Sequence, residues 1–319
     1  MKSDKKCKVL CGGNNLAVAQ GVKPENVYTS PFVGLRQNGT IVEECFFHGN
    51  AWRYIVVNHD KKEVVELPEA YLGLSNAWYQ NFFHFMTEMM PKLYLYAESG
   101  LECPILIPPT SKLVRDVLKV FGIPEDRLME MQAGTEYQVG LLHYDGYSNL
   151  NSSALDEFQI NAFKKLRAGV HVESDGAARN LYIARNDHKD IDNGCTKNGI
   201  KRVIVNEAEI LSQKLPDYEV ESVGNMSFAE KGELLKDVER VVTPFGGGVM
   251  NLIIAPRLKR VQILAPDKHK FLCRYMEMFL KEVMPELDVS VVWGKFVDDH
   301  DGIDANRNPY TIPTDKVTP

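Results

Sequence analysis

An α/β fold built on a parallel sheet is the class this sequence predicts, on three observations. From residue 180 onward, short apolar runs at 181–184, 203–205, 218–223, 241–243 and 261–264 read as buried strands. Helical stretches at 207–214, 228–237 and 268–283 separate several of them, and such alternation implies parallel strands with helices on both faces. Two helix starts are marked by capping-box spacing, Asn206 with Glu209 and Ser227 with Glu230. Finally, 319 residues with 44% hydrophobic and 25% charged side chains suit about two soluble domains of roughly 150 residues each.

The first half is less regular. Residues 26–67 read as β structure, with 40–47 and 52–57 rich in β-branched and aromatic residues and a turn at Asn58-His59-Asp60 leading into 63–67. A helix follows over 81–98, with Pro91 expected to kink it. Then come a strand at 104–107, a helix over 111–121, strands at 127–131 and 138–143, and a helix over 154–166. Residues 169–176 read as a linker. The domain organisation expected is therefore a lobe over 1–170, a second lobe over 171–293, and a polar tail over 294–319 that runs across a surface.

Charge and targeting exclude several function classes. The balance of 37 basic against 43 acidic residues gives −6, so bulk affinity for nucleic acid is not expected. Residues 1–8 are charged and lack the apolar core of a secretory signal. The longest stretch without Asp, Glu, Lys or Arg, 70–87, carries Ser75, Asn76, Gln80, Asn81 and His84 and is no membrane span. Six scattered cysteines without zinc spacing read as free thiols in a reducing compartment. A cytoplasmic enzyme, or an excised domain, is the expectation.

Three constellations carry chemistry. On the 81–98 helix, Asn81, His84, Glu88 and Lys92 fall within roughly an 80° arc while Phe82, Phe85, Met86, Met89 and Leu93 fill much of the rest. A polar stripe on an apolar helix must face a cleft, a partner or water. Either His84 and Glu88 line a site, one of them as general base, or they form an ordinary i,i+4 pair on a partly exposed helix; a His-x3-Glu metal pair is a third reading that no other ligand cluster supports. In the second half, the strand 240–243 leads into Pro244-Phe245-Gly246-Gly247-Gly248 and a helix start at Val249-Met250-Asn251. That turn is a candidate cradle for a diphosphate, or else a close-packed turn of an α/β sheet. Arg185 stands just past the strand 181–184, where ligands of open α/β sheets bind and where a guanidinium suits phosphate, although arginines there are also ordinary surface residues. Asp298-Asp299-His300-Asp301 mimics a manganese-binding Asp-x-Asp, but reads better as a solvated acidic loop.

In order and spacing these elements resemble glycosyltransferase family 61, which includes plant β1,2-xylosyl- and arabinosyltransferases and protein O-linked N-acetylglucosaminyltransferases. Asn81-Phe82-Phe83-His84-Phe85-Met86-Thr87-Glu88 with Pro91-Lys92-Leu93 is similar to the family's N-Y-Y-H-W-x-x-E…P-R-L. Leu181-Tyr182-Ile183-Ala184-Arg185 resembles Y-I-S-R, Val205-Asn206-Glu207-Ala208-Glu209 resembles N-E-x-E, and Ser227-Phe228-Ala229-Glu230-Lys231 resembles S-F-x-E-Q. The segment 244–252 is similar to P-H-G-A-G-L-x-N-L, with Phe245 in place of the family's His and Gly247 in place of its Ala. Asn308-Pro309-Tyr310 echoes a polar C-terminal segment.

The resemblance implies a GT-B-like architecture, two Rossmann-like lobes facing across a cleft. It implies an inverting, metal-independent glycosyltransferase that moves a sugar, xylose by family analogy, from a UDP-sugar to a hydroxyl of a glycan or glycoprotein. No cofactor or metal ligand is expected; the partners are the nucleotide sugar and the carbohydrate acceptor, with neither nucleic acid nor a membrane span. His84 and Glu88 would be catalytic and Asn81 and Lys92 would bind acceptor. Arg185, Asn206, Glu207, Gly246, Gly247, Gly248 and Asn251 would bind donor. The alternatives are a GT-B-like sugar-nucleotide epimerase or hydrolase, and a non-catalytic nucleotide- or glycan-binding protein.

Overall fold

The computed structural model describes residues 2–11, 33–37, 40–41, 63–73, 82–107, 112–130, 132, 135–144, 155–185, 204–224, 226–297 and 309–319. The expected β structure of 42–47 and 52–57, the Asn58-His59-Asp60 turn, Asn81, the acidic run at 298–301 and Asn308 lie outside them. The chain is mixed α/β and divides into two compact units, with described residues up to Ala162 in the first and those from Phe163 in the second. No helix among the described residues is long and apolar enough to cross a membrane.

The first unit holds strands β1 (Lys2–Cys11), β2 (Val33–Gln37), β3 (Thr40–Ile41), β4 (Glu63–Leu72), β5 (Ile105–Ile107), β6 (Leu128–Glu130) and β7 (Thr135–Tyr144). They form one sheet in the order β3-β2-β1-β7-β4-β5-β6. β4 pairs in parallel with β7 on one side and β5 on the other, and β5 continues in parallel to β6. The N-terminal strands extend the sheet antiparallel. By chain order the four parallel strands run third, second, first, fourth across the sheet. That is the order of a dinucleotide-binding half, whose ligand crevice opens beyond the carboxyl ends of its first and fourth strands, here β4 and β7.

A helical segment returns the chain from β4 to β5, in three pieces: α1 (Phe82–His84), a π-helical turn (Phe85–Met89) and α2 (Met90–Ser99). Pro91 explains the interruption. It lies in the first turn of α2, where its missing N–H is no loss, but a proline removes the donor that the carbonyl four residues earlier would receive. That carbonyl belongs to Thr87, which is fully buried. The buried amide of Gln159 replaces the lost donor, with Nε2 donating to Thr87 O at 2.9 Å. The Thr87 hydroxyl donates back to Phe83 O at 2.9 Å. Gln159 is itself anchored, since its Oε1 accepts from the Asp156 N–H at 3.0 Å at the start of α4 (Glu157–Gly169), the helix within which the division between the units falls. The remaining first-unit helix, α3 (Lys112–Phe121), buries Val114, Val117, Leu118 and Phe121.

The kink predicted at Pro91 is thus a π turn that precedes it. An extra residue in a turn rotates everything after it by about 100° relative to a regular α-helix. Lys92, expected on the polar stripe, is instead buried at 4% exposure. Its carbonyl accepts from the Tyr71 hydroxyl at 2.9 Å.

The second unit carries β8 (Arg179–Ile183), β9 (Glu219–Glu221), β10 (Val238–Pro244), β11 (Arg260–Pro266), β12 (Asp288–Phe296) and β13 (Tyr310–Thr311), in the order β13-β12-β11-β10-β8-β9. All neighbours are parallel except β12 and β13. Helices α5 (Glu207–Lys214), α6 (Phe228–Leu235) and α7 (Lys270–Val283) and a 3-10 helix (Gly247–Ile254) join the strands. Val241, Val242, Val261, Ile263 and Leu264 are all buried, as the unbroken apolar runs of central parallel strands require. Among the parallel strands the order is second, first, third, fourth, fifth. The sheet therefore reverses between β8 and β10, and that crevice is the binding position of a flavodoxin-like order.

The two expected capping boxes part company. Ser227 Oγ accepts from Glu230 N at 3.3 Å, and Glu230 Oε2 accepts from Ser227 N at 2.7 Å. Asn206 caps nothing with its side chain. Its Nδ2 donates to Ile312 O at 2.8 Å and its Oδ1 accepts from Ile312 N at 3.0 Å. The expected strand at 203–205 reduces, among the described residues, to one bridge between Ile204 and Tyr310. The segment expected to lie over a surface also differs. Gly294 lies within β12, and Tyr310, Ile312 and Val317 are buried in the core of the second sheet.

Replacing Gln159 with leucine keeps most of its volume and strands the buried Thr87 carbonyl. Gln159→Leu should cost about 1–3 kcal/mol, read as a lower urea midpoint at unchanged slope.

Candidate functional site

Strand order places the strongest site of the second unit beyond the carboxyl ends of β8 and β10. The two strands are locked side by side there, with Thr243 Oγ1 donating to Ile183 O at 3.3 Å. Two residues past β8, the Arg185 Nη1 donates to Phe245 O at 2.7 Å. This lays the guanidinium against the glycine turn so closely that a Cβ on Gly246 would stand 2.9 Å from Nη1 and 3.0 Å from Cζ. A side chain at Gly246 would displace the guanidinium from this position. The structure brings Arg185 and the turn of Gly246, Gly247 and Gly248 to one place.

The turn leads into a helix, but a 3-10 helix and not the α-helix its sequence suggests. Its first backbone amides, at the half-buried Gly247 and Gly248, stand where an anion meets a helix N-terminus. Asn251, one turn along, is buried and donates from Nδ2 to Gly248 O at 3.0 Å. Its buried Oδ1 has no partner among the described residues. A buried acceptor beside a turn of glycines can be satisfied by an ordered water or by a hydroxyl of a ligand.

Phe245 does not point into this crevice. The ring is buried and stacks on His269, with centroids 5.1 Å apart and planes 19° apart. Its amide donates to Leu264 O at 2.8 Å. The chain at the position of the family's histidine thus presents backbone and not a side chain to the site. His269 was not foreseen, because its partner lies 24 positions earlier on another element.

Asn206 and Glu207, expected at the donor, stand at the start of α5. Asn206 holds the segment around Ile312, and Glu207 Oε1 accepts from the Tyr182 hydroxyl at 2.6 Å. Burial, first, and then the charge of Glu207 push the Tyr182 phenol far above its usual range, so that proton stays on oxygen as the donor. Glu207 is held against the floor of β8 by this bond.

In the first unit, the backbone of His84 ends α1 and that of Glu88 lies inside the π turn. π-helical turns recur at functional sites because they turn a few side chains away from the regular helix face. Lys92 belongs to the core. Nearby in the sheet, at the reversal between β4 and β7, His143 Nε2 lies 2.6 Å from Glu69 Oε1. With Cys103 these groups place one ligand atom each within 4.8 Å of one another. Burial, and then the charge of Glu69, push the Cys103 thiol up to about 11. The sequence carries no signal for this trio, whose members are far apart along the chain.

The family described as Glycosyltransferase 61 matches residues 82–261, more than half of the chain. The matched span contains every residue expected at the catalytic, acceptor or donor site except Asn81. No curated protein gives a significant match.

Gly246→Ala should push the Arg185 guanidinium off the Phe245 carbonyl and weaken binding of inorganic pyrophosphate about tenfold, or about 1.4 kcal/mol. Calorimetric titration measures it, and an unchanged affinity would separate the arginine from the turn.

Proposed function

The chain belongs to glycosyltransferase family 61, and from that premise we propose an inverting, metal-independent transfer of a sugar from a UDP-sugar to a hydroxyl of a glycan or glycoprotein. The chain is a glycosyltransferase; donor, acceptor and stereochemistry belong to the proposal, as do the GT-B arrangement and the assignment of acceptor side to residues 1–170 and donor side to 171–293. Xylose is the first sugar to test, by family analogy.

The observation that best supports this reading is the crevice beyond β8 and β10. A guanidinium, a glycine turn and a buried unpartnered acceptor on Asn251 converge there. A departing nucleoside diphosphate carries its developing charge on phosphate oxygens. Arg185 and the amides at Gly246, Gly247 and Gly248 are the groups in this chain suited to stabilise it. The Oδ1 of Asn251 would accept a hydroxyl proton of the donor and fix its orientation.

In the reaction we propose, the acceptor oxygen attacks the anomeric carbon as the bond from that carbon to the diphosphate oxygen breaks, and the configuration inverts. His84 takes the hydroxyl proton as general base, with Glu88 one helical turn on as its orienting partner. Asn206 and Glu207 act through the floor of the pocket and Asn81 through the acceptor. Phe245 presents only backbone to the diphosphate, so Arg185 carries the cationic part of the stabilisation.

His84→Ala should reduce turnover by about 10²–10⁴-fold, the worth of a general base, while UDP binding measured by calorimetry stays within a factor of two or so of the parent. Unchanged turnover would remove His84 from the mechanism. Transfer should also persist at its full initial rate after incubation with excess EDTA, assayed below the melting temperature; a loss restored by a divalent cation would sink the metal-independent chemistry.

A further inference from the structure

We infer that Glu69, Cys103 and His143 form a binding site for a divalent transition ion of the zinc class, at the strand reversal of the first sheet. The inference does not depend on the transferase mechanism.

Strand register explains why the three groups meet. On the parallel pair β4–β7, Tyr71 is level with His143, and on β4–β5 it is level with Ile105. Side chains two apart along a strand share a face, so Glu69, Tyr71, His143 and Ile105 belong to one face, with Glu69 one step back along β4. Cys103 lies two residues ahead of Ile105 and is delivered to the same row. It is held there by two bonds. The Tyr71 N–H donates to Pro104 O at 2.8 Å, and the Tyr96 hydroxyl donates to Cys103 O at 2.7 Å. The donor set therefore sits on a braced sheet.

The chemistry of the set is selective. One thiol sulfur, one imidazole nitrogen and one carboxylate oxygen make a borderline-soft site, which suits zinc and its neighbours better than magnesium or calcium. All three ligand atoms lie within 4.8 Å of one another. Ligands on a tetrahedral zinc stand roughly 3.3–3.8 Å apart for bond lengths near 2.0–2.3 Å. The 2.6 Å contact between His143 Nε2 and Glu69 Oε1 would have to open by about 1 Å, a small movement because the Glu69 side chain is 42% exposed. That exposure is also the entry path, and it leaves room for water as a fourth ligand. Cys103 and His143 are enclosed on the other side, with the His143 side chain only 14% exposed.

The charges balance. In the hydrogen-bonded state Nε2 carries the proton that Glu69 accepts. When the cation binds, the imidazole proton moves to Nδ1 through solvent, the thiol proton leaves to solvent, and bonds form from Sγ, Nε2 and Oε1 to the ion. A thiolate, a carboxylate and a neutral imidazole around a doubly charged cation leave no net charge to bury. The single hydrogen bond it replaces leaves the thiol outside the network.

The test uses the whole chain, stripped with chelator and titrated with cobalt(II), followed by zinc competition. One cobalt per chain is expected, with thiolate-to-cobalt charge transfer in the near ultraviolet and the strong visible bands of a four-coordinate ion. Cys103→Ser should abolish the charge-transfer band, and His143→Gln and Glu69→Gln should each weaken binding by about 100-fold or more. A control replacing Cys7 and Cys11 should keep the full spectrum. The inference fails if the parent chain shows no saturable one-to-one binding, a result that needs no variant to fold. It also fails if the band survives in Cys103→Ser. Because the readout is spectroscopic, it stands or falls apart from the EDTA assay of sugar transfer.

Discussion

One hydrogen bond, from the Arg185 guanidinium to the carbonyl of Phe245, ties the end of β8 to the turn that follows β10. The proposed donor crevice is built around it. A parallel sheet brings strand ends together but leaves them as loops, and loops move. Here the cation of one loop is anchored on the backbone of the other, and the absence of a side chain on Gly246 is what allows the approach. Under the proposed reading the cationic group and the turn are positioned before a ligand arrives, the condition under which electrostatic stabilisation needs no reorganisation.

This local arrangement matters in a chain whose net charge is −6. If the donor is a nucleotide sugar, as proposed, the net charge repels it and attraction comes from groups within a few ångströms, where screening by salt has least effect. Fixed amides and a fixed guanidinium are suited to that role. Two other arginines of the second unit are engaged in structure. Arg167 donates to the carbonyls of Ile253 and Pro256, and Arg257 joins Glu239 and the loop at Ser174 and Gly176.

What could be read from the sequence was whatever is written locally. The Ser227–Glu230 box spans one turn, and its partners are neighbours in the chain. Arg185 and the glycines stood out because strand ends are where open sheets bind ligands, a rule that needs only the strand positions. The rest depended on pairings between distant residues. Pro91 announced a disturbance, but its form depended on Gln159, which supplies the missing donor from 72 positions away. Lys92, the residue after Pro91, is buried. Asn206 had the spacing of a cap and served instead as a clamp on Ile312, a partner 106 residues later. Sheet order, and with it the trio of Glu69, Cys103 and His143, had no local signature at all.

The segment around β13 gives the second sheet an unusual dependence on sequence distance. Tyr310 is buried and donates to Leu264 O, Gln262 exchanges bonds with Thr318, and Asn206 grips Ile312. These contacts seal the outer edge of β12 and fill a gap beside β10 and β11. A ribosome makes β8 through β12 before it makes any of the residues that complete them. Until then, the lobe is a sheet with an open edge and a hole in its core. The contacts that close that edge and fill that gap therefore join residues 46 to 106 positions apart in the chain.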